Sequence, residues 1–149
     1  MPPTYIALVI LEDTQGRIFL QLRSQVPGIA NPGQWGLLGG HLESGESFVT
    51  AAIREVEEEL SCTLQSGKMR FLATFSREDK AGVVLQYQLF HYLVSNELYR
   101  AVLTEGERFA AFSPEQIRSG TLEGAEIVLH HLEQLLAYWS NRGVSLLQA

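Results

Sequence analysis

Six glutamates lie between Glu43 and Glu59, and the only basic residue among them is Arg54. Crowded carboxylates repel one another. Glu55 and Glu59 are four apart, a spacing at which like charges destabilise a helix. Glu57, Glu58 and Glu59 also approach the end of the segment, where a helix dipole disfavours negative charge. A hard divalent cation takes several oxygen ligands at once and would offset these costs. The alternative is a solvated acidic face. On a wheel of about 100° per residue, Glu55, Glu58 and Glu59 converge on one face. Val49, Ala52, Ile53, Val56 and Leu60 gather on another, and Arg54 and Glu57 fall outside the acidic trio. Gly39, Gly40 and Gly45 precede the helix, and glycine lets the backbone approach a ligand closely. A tight loop there would bring Glu46 and a backbone carbonyl beside the helix carboxylates.

The elements that must position these groups follow from patterning. Ser47 to Ser61 reads as a helix, with Ser44 and Ser47 as candidate N-caps. Tyr5 to Leu11 is a continuous apolar run, as in a strand buried on both faces. After a turn at Asp13–Gly16, Ile18, Leu20 and Leu22 alternate with polar residues, which predicts a hairpin partner with one wetter face. Pro27 to Gly33 reads as loop, and Trp35 to Leu38 as a short apolar segment ending in the glycine pair. Met69–Phe75 and Val83–Val94 read as strands around a turn at Asp79–Gly82, and Leu103–Phe112 holds a short strand. Ser113-Pro114-Glu115 opens a short helix. Ala125 to Trp139 reads as a long amphipathic helix with Ile127, Val128, His131, Leu132, Leu135, Leu136 and Trp139 on one face. The order predicts a single α/β domain over residues 1–149, a mixed sheet between helices.

Composition narrows the function classes. The chain of 149 residues is 46% hydrophobic and 19% charged, as expected of a folded globular domain. A net charge of -6 argues against non-specific nucleic-acid binding. It leaves room for a small phosphate-bearing ligand, because a bound metal reverses the local sign. Cys62 is the single cysteine, so no intrachain disulfide forms. With no basic leader and no apolar span of membrane length, the expected location is cytoplasmic, with no membrane partner.

The segment Gly40 to Cys62 resembles the 23-residue box of the Nudix hydrolases. Gly40 opens it, Glu46 follows after five residues, and Arg54-Glu55 after seven more, then Val56 and the pair Glu58-Glu59. Ser61 stands where the family has glycine, and Cys62 holds the last apolar position. The approach, Trp35 to Gly40, is also similar, with Leu38 replacing a frequent proline. The resemblance implies an α/β/α sandwich and hydrolysis of a nucleoside diphosphate linked to another group, with Mg²⁺ or Mn²⁺ as cofactor. It implies Glu55, Glu58, Glu59 and the Gly39 carbonyl as metal ligands, Arg54 as the group orienting Glu55, and Glu55 as general base. Gly40 and Glu46 would support the loop. A late-loop glutamate, Glu105 or Glu107, would be an alternative base or ligand. Arg23 and His41 are candidates for substrate phosphate. Trp35, Phe109 and Phe112 could stack a nucleobase or pack in the core. A small nucleotide is the implied partner, and family members are often homodimers.

Two other classes bear on the same residues. A Nudix-fold binding or regulatory module would lose box carboxylates, whereas this chain keeps Glu55, Glu58 and Glu59. An isomerase of a diphosphate ester would need a reactive cysteine, and Cys62 is an apolar substitute within the box. His91 reads as a strand residue. The adjacent His130 and His131 point in different directions on a helix, which disfavours a paired metal site.

Overall fold

The structure, a computed structural model, describes residues 2–98 and 108–148, the last seven of these as backbone only. Glu105 and Glu107 therefore lie outside the described residues. In chain order the elements are β1 (Thr4–Glu12), β2 (Ile18–Leu22), β3 (Trp35–Gly36), β4 (Leu38–His41), α1 (Phe48–Leu60), a 3₁₀ turn (Ser66–Lys68), β5 (Arg70–Glu78), β6 (Val84–Leu93), β7 (Arg108–Phe112), α2 (Pro114–Arg118), β8 (Thr121–Leu122), β9 (Ala125–Glu126) and α3 (Leu129–Gln148).

The apolar run predicted as a doubly buried strand is β1, the axis of the sheet. It runs parallel to β6 along its whole length. Its other edge is shared, β4 covering Ile6 to Val9 and β2 touching only at Glu12. Successive side chains of a strand point to opposite faces. Ile6, Leu8 and Ile10 thus join Trp35, Leu89, Ile117 and Leu135 in one core, while Ala7, Val9 and Leu11 join Leu38, Val56, Leu60 and Tyr92 in the other. The first core lies under α3 and the second under α1, which makes the α/β/α sandwich.

Three expectations are corrected. Trp35 to Leu38 is not one segment, because the chain changes partners at Leu37: β3 pairs with β2, β4 with β1, and Gly39-Gly40 lie within β4. The last helix begins at Leu129 rather than Ala125. Ala125 and Glu126 form a hairpin with β8 across Glu123 and Gly124, both at positive φ (52° and 84°). Two consecutive positive φ values make the tight turn a hairpin favours, and Val128 N–H then bonds Trp35 O at 2.8 Å, tying the start of α3 to β3. On α3 itself Leu136 is exposed, and Tyr138 packs inward in its place.

The helix exit differs as well. Ser61 takes the left-handed conformation (φ 54°, ψ 35°) that glycine commonly supplies at a helix end, with its N–H on Glu57 O at 2.9 Å.

Candidate active site

The site is built where α1 lies over β4. Ser47 caps the helix, its Oγ accepting from Thr50 N–H at 3.1 Å. The buried face of α1 comprises Ala51, Ala52, Val56 and Leu60, and it also includes Glu59, only 5% exposed. The acidic and apolar faces thus meet at Glu59. Glu55, one turn earlier, is half-buried beside β4.

Gly40 is where the strand admits that carboxylate. A Cβ there would lie 2.5 Å from Glu55 Cδ. At Gly39 the constraint is the backbone, since φ is 137° and a Cβ would lie 2.0 Å from Ala7 O. Both glycines are needed for close approach, one to Glu55 and one to β1.

Arg54 organises the acidic residues. Its Nε and Nη2 grip Glu46 at 2.7 and 2.9 Å. Nη2 also donates to His41 O at 2.9 Å, and Nη1 reaches Glu55 Oε1 at 3.0 Å and both Glu58 oxygens at 3.2 Å. Glu43 lies 3.5 Å away on the rim. Arg54 lies outside the acidic trio on the wheel, but its side chain is long enough to span both sides. Glu46 returns a bond to Glu43 N–H at 2.7 Å, closing the loop. The Arg54 hydrogen bonds, followed by that backbone bond, hold the Glu46 carboxyl down at about 2.

Glu55 and Glu59, with Gly39, Gly40 and His41, line a cavity of about 400 Å³. Arg23 lines it too, anchored by its Nε on Ala30 O at 2.6 Å. Glu58 stands outside this cavity, on the solvent side of Arg54. Among the described residues, no three His, Cys, Asp or Glu side chains are gathered as a ready metal cluster. The donor set nonetheless suits a hard cation: carboxylate oxygens on one helix face, opposite a strand whose glycine leaves room for them.

Of the aromatic candidates, Trp35 belongs to the core. It is fully buried, donates Nε1–H to Leu122 O at 3.0 Å and packs edge-on against Phe112. Phe109 stacks on Phe19 at 5.2 Å. Cys62 is buried, and burial pushes its thiol up to about 11, far from a reactive thiolate. The adjacent histidines do not diverge as expected, since the His130 and His131 rings touch at 4.5 Å and both line the cavity. Gln21 also faces the cavity, where the alternating pattern of β2 predicted a wetter surface. The sequence signal for His131 was a polar residue inside the apolar stripe of the last helix.

A mixed sheet between two helical layers, with a carboxylate-bearing helix clamped by one arginine beside a glycine strand, is an α/β/α domain with an acidic site at the sheet. Residues 2–134 match the NUDIX domain, and the chain belongs to the Nudix family. The MutT protein of Methanosarcina mazei Go1 has a similar fold, with TM-score 0.73 at 19% identity, covering 95% of this chain and 96% of that one. A mutT/nudix family protein of Listeria innocua superposes with TM-score 0.74 at 24% identity, covering 100% and 99%. The MutT NUDIX hydrolase of Burkholderia pseudomallei gives 0.69 at 24%, covering 90% and 98%. No curated protein matches the chain. The family makes this chain a hydrolase acting on phosphorus-containing anhydrides. Among the described residues no helix is long and apolar enough to cross a membrane.

Proposed function

We propose that the protein, as a single catalytic domain of the cytoplasm, hydrolyses the pyrophosphate of a nucleoside triphosphate, ordinary or oxidised, or of a small nucleotide sugar, with Mg²⁺ as its cation and Mn²⁺ as an alternative. The observation that carries this reading is the placement of Glu55, Glu59 and Gly39 on the same cavity as Arg23. Glu55, Glu59, the Gly39 carbonyl and Glu58 would hold the cation, Glu58 turning from the solvent side of Arg54. When bound, the cation neutralises phosphate charge and lowers the pKa of water.

The chain's own residues do the rest. Arg54 orients Glu55 through Oε1 at 3.0 Å, and Glu55 is the general base that takes a proton from the attacking water. Such proton transfer contributes roughly 10²–10⁴-fold. Glu46 holds Arg54, so the geometry of Glu55 depends on the loop. Arg23 and His41 stand at the cavity to receive substrate phosphate. Glu105 or Glu107 is the alternative base.

The test is a Mg²⁺ titration of product release across nucleoside triphosphates, nucleotide sugars and dinucleotides, with Glu58→Gln in parallel. Wild type should turn over at least one class, and the variant should lose about 100-fold or more in kcat. Near-normal turnover by Glu58→Gln, or no turnover of any pyrophosphate by wild type, would overturn the reading.

A further inference from the structure

Of the large apolar side chains exposed among the described residues, only Val26 (57%) and Ile29 (37%) line the cavity that holds Glu55 and Glu59. Both sit on the connection from Arg23 to Gln34, between β2 and β3. We propose that this connection is a lid, in which Val26 and Ile29 close over the substrate when phosphate engages Arg23. The proposal rests on the nucleoside triphosphate reading above.

The base of the connection is fastened. Leu22 pairs with Trp35 across β2 and β3. Arg23 N–H donates to Gln34 O at 2.9 Å, and Gly33 N–H donates to Arg23 O at 3.0 Å. The tip is held far less. Gln25 to Ala30 are exposed one after another, and Val26 and Ile29 belong to neither core. Gly28 stands at φ 92°, and beyond its chain neighbours no heavy atom lies within 4 Å of where a Cβ would be. Pro27 and Pro32 each fix φ, which stiffens the segment between them. A stiff tip with few buried contacts on a fastened base is the character of segments that open and close.

The apolar pair and Arg23 give the closure its direction. Exposed valine and isoleucine gain free energy when a ligand removes them from water. Ser24, Ala30 and Asn31 line the same cavity, so much of the tip already borders the site. Arg23 links the two. It lines the cavity, and its Nε donates to Ala30 O at 2.6 Å. Among the described residues Arg23 makes no ion pair, so its charge is available to an incoming anion. A phosphate bound there pulls on a guanidinium that is already tied to the tip. Closure then expels water, and in the lower dielectric the attraction between Arg23 and phosphate strengthens.

The test is hydrogen exchange on the unmodified protein, free and saturated with the α,β-methylene analogues of ATP, GTP, CTP and UTP in Mg²⁺. Amides from Gln25 to Asn31 should exchange about tenfold more slowly with an analogue bound. The turn at Asp79–Gly82, which does not line the cavity, should be unchanged. Val26→Ser combined with Ile29→Ser should weaken binding of the analogue about tenfold. Its Tm should stay at the wild-type value, because both side chains are exposed. Arg23→Lys should leave the tip unprotected even at saturation, since a point charge cannot hold Ala30 O and a phosphate together. An analogue that binds while the tip exchanges as fast as before overturns the lid and leaves the triphosphate reading standing. Unweakened binding by the serine variant overturns the role of Val26 and Ile29, and full protection in Arg23→Lys overturns the trigger. Failure of all four analogues to bind overturns this proposal together with the triphosphate reading.

Discussion

Arg54 and Glu46, eight residues apart in sequence, meet through a two-point fork with Nε–Oε2 at 2.7 Å and Nη2–Oε1 at 2.9 Å. The fork ties the loop ahead of α1 to the middle of the helix. The other amino group of Arg54 reaches Glu55 and Glu58. One guanidinium thus sets both the loop and the carboxylate that the proposed mechanism uses.

Lysine cannot reproduce that arrangement, because it is a point charge without a planar fork. Arg54→Lys should lower kcat/KM by about 10–100-fold through misplacement of Glu55. It should also lower stability, because the two-point bond that ties the loop to the helix is lost. Steady-state kinetics and urea unfolding measure the two effects separately. Retention of full kcat/KM would show that the fork does not position Glu55.

The same pair predicts an acid limit. The Glu46 carboxyl is held at about 2, below the ordinary glutamate value of 4.5, chiefly by the Arg54 hydrogen bonds. Below 4.5 the unfolded chain takes up this proton while the folded protein does not. Stability from the pair is therefore full above the unfolded value and is lost as pH falls toward 2. Thermal unfolding between pH 2.5 and 6 should show a shallower acid slope for Glu46→Gln than for wild type. Parallel slopes would remove Glu46 from the acid transition.

The periodic and spaced features of the chain were legible without coordinates: the doubly buried β1, the helix α1 and the box spacing; the convergence of Glu55, Glu58 and Glu59 was not, since Glu58 stands apart from the cavity that the other two line. Local signals missed what depends on contacts between elements. Arg54 lies off the acidic face on a wheel, yet side-chain length lets it bridge four glutamates. Ile127 and Val128 continue the apolar pattern of α3, but the turn at Glu123-Gly124 and the bond to Trp35 O place them before the helix. His131 was visible as a core-face residue. Its role toward Leu37 was not, because it depends on the junction between β3 and β4, 94 residues away.

The glycine pair should separate fold from catalysis. In Gly40→Ala the new methyl meets the end of a side chain, so Glu55 yields and the fold survives. Activity should fall about 100-fold, the scale of a misplacement near 1 Å. In Gly39→Ala the methyl meets backbone at 2.0 Å with φ 137°, and nothing nearby can move cheaply. That variant should lose at least about 3 kcal/mol or fail to fold. Circular dichroism with a turnover assay distinguishes them, and equal stability of the two variants would contradict the geometry.

Ser61→Gly should stabilise the protein. Serine at φ 54° carries a left-handed strain that glycine does not, and the side chain is exposed. The net gain, after glycine's larger unfolded-state entropy, should be about 0.5–1 kcal/mol. For a domain of this size that corresponds to a rise in Tm of roughly 1–4 °C. Calorimetry at one pH decides it, and a lowered Tm would mean that the serine makes a compensating contact.

Trp35→Phe tests whether the indole belongs to the core or to the substrate. The ring is fully buried, its Nε1–H is committed to Leu122 O, and it packs edge-on against Phe112 at 4.9 Å. Phenylalanine leaves a smaller ring and an unpaired carbonyl at the β8 turn. The expected cost is about 2–4 kcal/mol, part cavity and part lost hydrogen bond. Leu122 O is anchored on the hairpin ahead of α3, so hydrogen exchange should quicken there first. KM should stay near the wild-type value, because the indole does not face the cavity. A raised KM with unchanged stability would place Trp35 against the substrate instead.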